Sequence, residues 1–189
     1  MKKTLYLMRH GQTLFNKMRK IQGFCDSPLT EEGIKQAQKV GAYFKNIDLD
    51  HFYSSTSERC CDTLELVIEN KPYVRLKGLK EMNFGVYEGE SEELNPKKAE
   101  EYETFFVPHG GESIDEVKDR MVKTCIEIME KDDHNAVLAV SHGGACYHFL
   151  RAWQDPREEL EKGFGNCSIF KYEYMNKKFK LLEVIRLEF

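Results

Sequence analysis

Two segments of this 189-residue sequence share one shape. A short apolar run feeds a histidine and then a glycine: Thr4–Met8 into Arg9-His10-Gly11, and Ala136–Val140 into Ser141-His142-Gly143-Gly144. Apolar runs of this length read as buried strands. In open α/β sheets, ligands bind beyond the carboxyl ends of the strands, so both histidines belong on one functional edge. The glycines let the backbone turn sharply and approach a ligand closely. A helix starting after His142 would aim free N–H groups at the same place, which suits an anion. A third junction, Ser54-Ser55-Thr56-Ser57-Glu58-Arg59, puts Arg59 near a helix start. Arg9 and Arg59 can then converge on one phosphate, which guanidinium groups grip in bidentate fashion at any working pH.

A neutral imidazole can attack phosphorus, and neighbouring guanidinium charge keeps it neutral. His10 is therefore the expected nucleophile, and His142 a donor to the equatorial oxygens. The leaving alkoxide needs a proton, for which a carboxylic acid at the site is the usual source. Glu81, within Leu79-Lys80-Glu81-Met82-Asn83-Phe84-Gly85, is the choice, because it follows a strand-like segment and precedes an irregular stretch. Nearby Glu88, Glu90 and Glu92 read as exposed acids. Zinc at His10 is disfavoured, because Arg9 would repel the metal. His51, His109, His134 and His148 show no paired ligand spacing and read as structural or surface residues. No metal and no cofactor is expected.

The elements that must hold these residues are visible in outline. Thr30 looks like an N-cap, with Glu31 and Glu32 in the first turn and Ile34, Ala37, Val40, Gly41 and Phe44 at helical spacing. The stretch between Gly11 and Thr30 reads as a polar loop. His51–Ser54 reads as a second strand, followed by a helix capped within Ser55-Thr56-Ser57 and ended by Pro72; Tyr73–Leu76 is a third strand. Residues 82–112 read as an excursion over the sheet, a candidate lid. Ser113-Ile114-Asp115-Glu116 matches a capping box opening a helix to about Lys131. A helix with Cys146, Phe149, Leu150 and Trp153 follows the second histidine. Ser168–Tyr174 and Phe179–Ile185 could form a closing hairpin. Tyr6, Phe44, Phe149 and Trp153 read as core, whereas Phe15, Phe24, Phe84 and Tyr87 are candidates for a pocket wall. Strands alternating with helices indicate an α/β domain spanning 1–189 with a largely parallel sheet.

Bulk properties narrow the class. The chain is 41% hydrophobic with a formal net charge of −4. Basic residues are not gathered on one stretch, which argues against a nucleic-acid partner. No run of about 18 apolar residues suggests a membrane span, and Arg9 interrupts the only early apolar run, so no signal peptide is read. The six cysteines form no C-x-x-C and read as reduced, mostly buried thiols, which fits a cytoplasmic protein.

Six blocks carry a closer resemblance. Leu5-Tyr6-Leu7-Met8-Arg9-His10-Gly11-Gln12-Thr13, with Asn16 and Gln22-Gly23, is similar to the signature of the histidine phosphatase superfamily, branch 1, the phosphoglycerate-mutase-like group. The match continues through Asp26–Gly33, Ser54-Ser55 with Arg59, Glu81 before Phe84-Gly85, Gly110–Ser113, and Val140–Gly144. By this resemblance His10 carries the phosphoryl group; Arg9, Arg59, His142 and Gly143 form the phosphate pocket; and Glu81 is general acid and base. Asn16, Gln22 and Gly23 line the substrate side. The resemblance also implies a three-layer α/β/α sandwich with a small lid.

These readings lead to a metal-independent phosphomonoesterase acting on a small phosphorylated metabolite. Sugar phosphates, phosphoglycerates, nucleotide-derived phosphates and a cobalamin-precursor phosphate all remain open. The alternative is a bisphosphoglycerate-dependent phosphoglycerate mutase; a non-catalytic phosphate-binding module is more remote. Mutases of the family are longer in the excursion and carry an Arg-Arg pair for the substrate carboxylate. This chain has no such pair, and its only arginine between Glu81 and residue 136 is Arg120. The last two β-like runs offer a sheet edge for a homodimer.

Overall fold

The computed structural model describes residues 2–69 and 71–189. Its centre is a six-stranded sheet in the order β3-β2-β4-β1-β5-β6. The strands are β1 (Lys3–Arg9), β2 (His51–Ser55), β3 (Val74–Leu76), β4 (Ala136–Ser141), β5 (Ile169–Met175) and β6 (Lys178–Ile185). The first four are mutually parallel, and β5 and β6 close the sheet as an antiparallel hairpin. β1 and β4 pair in register from Thr4↔Ala136 to Arg9↔Ser141, so both histidine junctions leave the sheet side by side.

Alternation along the central strands sorts two cores. Leu5 and Leu7 of β1, with Val137 and Ala139 of β4, face α4 (Ile114–Met129) and α5 (Gly143–Arg151) through Val117, Met121, Cys125 and Phe149. Tyr6 and Met8, with Leu138 and Val140, face α2 (Glu31–Phe44) and α3 (Glu58–Ile68) through Ala37, Val40, Leu64 and Val67. A run apolar on both faces is what a sheet covered by helices on both sides requires. Burying each Leu or Val contributes roughly 1.5–3 kcal/mol. The result is the expected α/β/α sandwich.

Caps set the helix starts. Thr30 accepts from Gly33 N, and Ser113 with Glu116 makes a reciprocal capping box. Several sequence expectations need correction. The loop after Gly11 contains a short helix, α1 (Leu14–Met18), boxed by Thr13 and Asn16. Ser57 caps α3 by position only; its side chain makes no cap bond, and Asp26 Oδ2 accepts from Glu58 N instead. Helix α3 stops at Ile68, with Glu69 left-handed, before Pro72 is reached. Glu81 follows a 3-10 turn, Lys77–Leu79, not a strand. Trp153 lies beyond the end of α5 and is only half-buried against the core. A further short helix, α6 (Arg157–Glu161), precedes β5.

Residues 82–112 hold 3-10 turns at Gly85–Tyr87, Glu92–Leu94, Ala99–Glu103 and Val107–His109. Phe84, Tyr87, Phe105 and Phe106 pack edge to face or tilted on one another beneath them. All six cysteines are free thiols, and all but Cys25 are buried. Among the described residues no helix is long and apolar enough to cross a membrane.

Candidate active site

The carboxyl ends of β1, β2 and β4 bring His10, Ser55, Arg59 and His142 into one buried cluster. Arg59 is the second residue of α3 and is completely buried. All three of its guanidinium nitrogens are engaged. Nε donates to His10 Nε2 at 3.3 Å. Nη1 donates to Cys25 O and Asp26 Oδ1, both at 2.9 Å. Nη2 donates to Gly23 O at 2.8 Å and lies 2.8 Å from His142 Nδ1. A buried cation needs this degree of satisfaction, because transfer from water is otherwise strongly unfavourable.

The hydrogen bonds fix each imidazole. His10 Nδ1 lies 2.8 Å from the carbonyl of Gly11, which can only accept, so Nδ1 carries the proton. Nε2 is left with its lone pair, directed at Arg59. Burial first, then the charges of Arg59 and Arg9, holds the His10 pKa well below the ordinary histidine range. His142 is likewise lowered, again by burial first and then by Arg59. Its Nδ1 accepts from Arg59, so Nε2 carries the proton toward Ser55 Oγ at 2.8 Å. His142 thus meets Arg59 and Ser55 with its two nitrogens.

Arg9 lies along the first turn of α5 and donates through Nη1 to Phe164 O. Its Nε is buried without a protein partner, as is Gln22 Nε2. Burial lowers the Arg9 pKa from its usual value, though a guanidinium stays charged through the working range. Glu81 is buried at the start of the same helix. Its carboxylate accepts from Gly144 N at 2.8 Å, Ala145 N at 2.7 Å and Met82 N at 2.9 Å. A side chain at position 144 would place its Cβ 2.7 Å from Glu81 Oε1 and push that carboxylate off the amides it accepts from.

Arg9, His10, Asn16, Gln22, Glu81 and Gly143 border one cavity of about 370 Å³. Gly23 sits behind it. Its backbone touches Arg59, and a Cβ there would lie 2.1 Å from Met82 O. The far side of the cavity draws on two regions. Phe84, Glu92 and Asn95 come from the 82–112 excursion, while Lys20, Tyr147, Leu160 and Phe164 come from elsewhere. Of the four aromatics considered for the wall, only Phe84 borders it; Phe24 is exposed, under Lys80 Nζ at 3.9 Å. A larger groove of about 1280 Å³ between α2 and α3 is lined by no histidine or arginine.

Two supporting residues escaped the sequence reading. Glu88, read as an exposed acid, accepts from four backbone amides: Gly23, Phe24, Cys25 and Phe84, at 2.7–3.0 Å. It pins the loop that delivers Gln22 to the turn that delivers Phe84. Arg120 donates to the carbonyls of Gly78, Lys80 and Glu81 and is paired with Glu112 at 2.8 Å. It buttresses the Glu81 segment from behind. Local spacing carried no signal for either role, because the partners are backbone groups far along the chain.

Comparison with known proteins places this arrangement in context. Residues 5–186 match the model of the histidine phosphatase superfamily (branch 1). A protein of Proteus mirabilis named "Probable phosphoglycerate mutase GpmB" is 33% identical over 187 residues, covering 91% of this chain and 85% of the relative. Phosphoserine phosphatase from Entamoeba histolytica, crystallised with 3-phosphoglyceric acid, superposes with a TM-score of 0.83 at 26% identity over 98% of both chains. Phosphoglycerate mutase from Bacillus anthracis superposes with a TM-score of 0.85 at 27% identity, over 97% of this chain and 92% of that one.

Proposed function

This chain belongs to branch 1 of the histidine phosphatase superfamily, and on that premise we propose that it is a phosphomonoesterase working through phosphohistidine at His10. The observation that carries the reading is the tautomer of His10. Gly11 O holds its Nδ1 proton, leaving an unprotonated Nε2 within a shell of fixed positive charge. An entering phosphate would take the Arg59 donors, together with Arg9 Nε and Gln22 Nε2, which lack protein partners. His10 Nε2 then forms the N–P bond as the P–O bond to the alcohol breaks. Glu81, which must first take up a proton with the incoming phosphomonoester because its carboxylate otherwise only accepts, passes that proton to the departing oxygen. In the second half Glu81 takes a proton from water, whose oxygen attacks phosphorus as the N–P bond breaks. His10 is regenerated and inorganic phosphate leaves. Arg9 Nε and Gln22 Nε2 are free to meet the phosphoryl oxygens as they stand, whereas Arg59 must exchange protein acceptors for them. No step uses a metal ion, and Arg9 and Arg59 would repel one at His10. Turnover is expected to survive chelators.

The cavity admits a small alcohol. Lys20 is the cation on its far side, a partner for a carboxylate such as that of 3-phosphoglycerate or phosphoserine. Hydrolysis is favoured over mutase action by the fate of the cations. The chain has no Arg-Arg pair, and Arg120 is committed to backbone carbonyls and Glu112. The mutase reading is supported by the names of the relatives from Proteus mirabilis and Bacillus anthracis. The test supplies 3-phosphoglycerate with a trace of 2,3-bisphosphoglycerate and follows both products. Phosphate release should outrun isomerisation to 2-phosphoglycerate; faster isomerisation would overturn hydrolysis in favour of the mutase.

A further inference from the structure

The histidines outside the phosphate site show no ligand spacing in the sequence, yet the fold joins two of them. β2 and β4 are parallel neighbours, so the residues entering them meet at the opposite edge of the sheet from His10. His51 begins β2, and Asp133-His134 lies just before β4. Asp133 bridges the pair: His51 Nε2 is 3.1 Å from Oδ2, and His134 Nδ1 is 2.7 Å from Oδ1. The two rings stack with centroids 3.7 Å apart and planes 13° apart. One donor atom from each of the three residues lies within 4.8 Å of the others. His134 is buried, His51 is about one-third exposed and Asp133 is open to solvent.

The surroundings hold this cluster in place. Asp50 Oδ2 accepts from Asn135 N at 2.7 Å and Ala136 N at 3.0 Å, fixing the loop that carries Asp133 and His134. Tyr53 Oη lies 2.7 Å from His134 Nε2, and Lys131 Nζ donates to the same oxygen at 2.8 Å. A partner on the far nitrogen is how metal-binding imidazoles are oriented.

We propose that His51, Asp133 and His134 bind a divalent transition-metal ion of the zinc class, with water completing its shell. Two imidazoles and one carboxylate suit a borderline ion, whereas magnesium and calcium favour all-oxygen sets. Without metal, each ring donates an N–H to Asp133. On binding, each ring moves that proton to its other nitrogen, which for His134 faces Tyr53, so no proton need leave the protein. The stack must open, because rings held about 2.0–2.1 Å from one tetrahedral ion spread apart at their far ends. His51 has room to move. The charge of Lys131 opposes the ion from across the His134 ring, beyond Tyr53. The site lies at the amino ends of the strands, so the ion would brace β2 against β4 and take no part in phosphoryl transfer.

The test titrates the metal-free full chain with zinc chloride, followed by calorimetry and by NMR of the histidine rings. Saturable binding should move the His51 and His134 signals together and raise the melting temperature. His51→Ala and Asp133→Asn, both on accessible residues, should each weaken that binding roughly tenfold or more. His10→Ala should leave it unchanged. Zinc that shifts only His10 and His142, binding that is equal in wild type and His51→Ala, or no binding at all would each overturn the proposal.

Discussion

In the cluster around His10, where the proposed mechanism puts the phosphoryl group, Arg59 commits every guanidinium nitrogen to a named acceptor, and His10, His142 and Glu81 are each held by Arg59, Ser55 or backbone groups. On the side proposed to hold the alcohol, Lys20 sits on an isolated bridge to Ser91, Glu92 and Asn95 on a 3-10 turn and its end, and Leu160 on a short helix, all half-buried or exposed. The nearest ion pair there, Arg19 with Glu92, spans 3.6 Å between solvent-exposed groups, where such pairs contribute little. The first end is preorganised and the second adaptable. Chemistry shared by a whole family belongs at the rigid end, and substrate choice at the soft one.

The sharpest way to break this contrast is at the nucleophile. His10→Ala should lower turnover of every substrate, including p-nitrophenyl phosphate, by at least about four orders of magnitude, since no other group can replace the attacking nitrogen. Phosphohistidine is labile in acid and stable in base, so a rapid alkaline quench with labelled substrate should trap a phosphoenzyme in wild type and none in the variant. Trapped label in His10→Ala would refute the assignment. Arg59→Lys comes next. An ammonium keeps the charge but cannot span His10, His142, Asp26 and the loop carbonyls together. The rate should fall roughly 10²–10³-fold with all substrates alike, and the melting temperature should fall too.

The rigid end also carries a pH signature. His10 and His142 have folded pKa values well below 6.5, and His148 on α5 is pushed down to about 4, each by burial first. Below an ordinary pKa near 6.5 the unfolded chain binds protons that the folded chain refuses. Stability is therefore full above that pH and falls as pH drops toward the depressed folded values, by up to about 1.4 kcal/mol per unit for each such histidine. Melting temperatures measured from pH 7.5 to 5 should decline, and His148→Gln should flatten part of that decline. A flat profile would show that these rings are less enclosed than the fold implies.

Glu88 joins the two ends. Glu88→Ala strands four amide donors, at a cost of about 1–3 kcal/mol in stability. Because Gln22 and Phe84 lose their common anchor, kcat/KM should fall by roughly tenfold, with Glu88→Gln intermediate. Equal values for wild type and Glu88→Ala would mean that the loop holds its position unaided.

What could be read without the structure follows the same division. Strand–histidine–glycine units, an arginine at the start of a helix and an acid ahead of a turn are local patterns, and local patterns survive in a linear string. Glu88 and Arg120 act chiefly on backbone groups tens of residues away, so local spacing does not announce their roles. The His51–Asp133–His134 cluster was illegible for a related reason: parallel pairing of β2 with β4 creates it, and no spacing rule encodes that pairing. The irregularity of 82–112 is visible in the string, but the arrival of Tyr147, Leu160 and Phe164 at the same cavity from later segments is not, because only the tertiary fold brings them there.

The smallest effect, and the most discriminating, should come from the alcohol end. Lys20 lies beside the cavity and not in the His10–Arg59 cluster, and its ammonium rests 5.4 Å from the Phe15 ring centre. If it meets a substrate carboxylate, Lys20→Met removes a partly solvated attraction of about 1 kcal/mol. KM for 3-phosphoglycerate or phosphoserine should then rise about fivefold, with kcat nearly unchanged, because the contact is equal in ground and transition states. Values for p-nitrophenyl phosphate, which has no carboxylate, should not move. A parallel loss on both substrate types would place Lys20 with the phosphate machinery and erase the boundary between the two ends. A loss confined to the carboxylate substrates would locate that boundary between Gln22 and Lys20, two residues apart on the same loop.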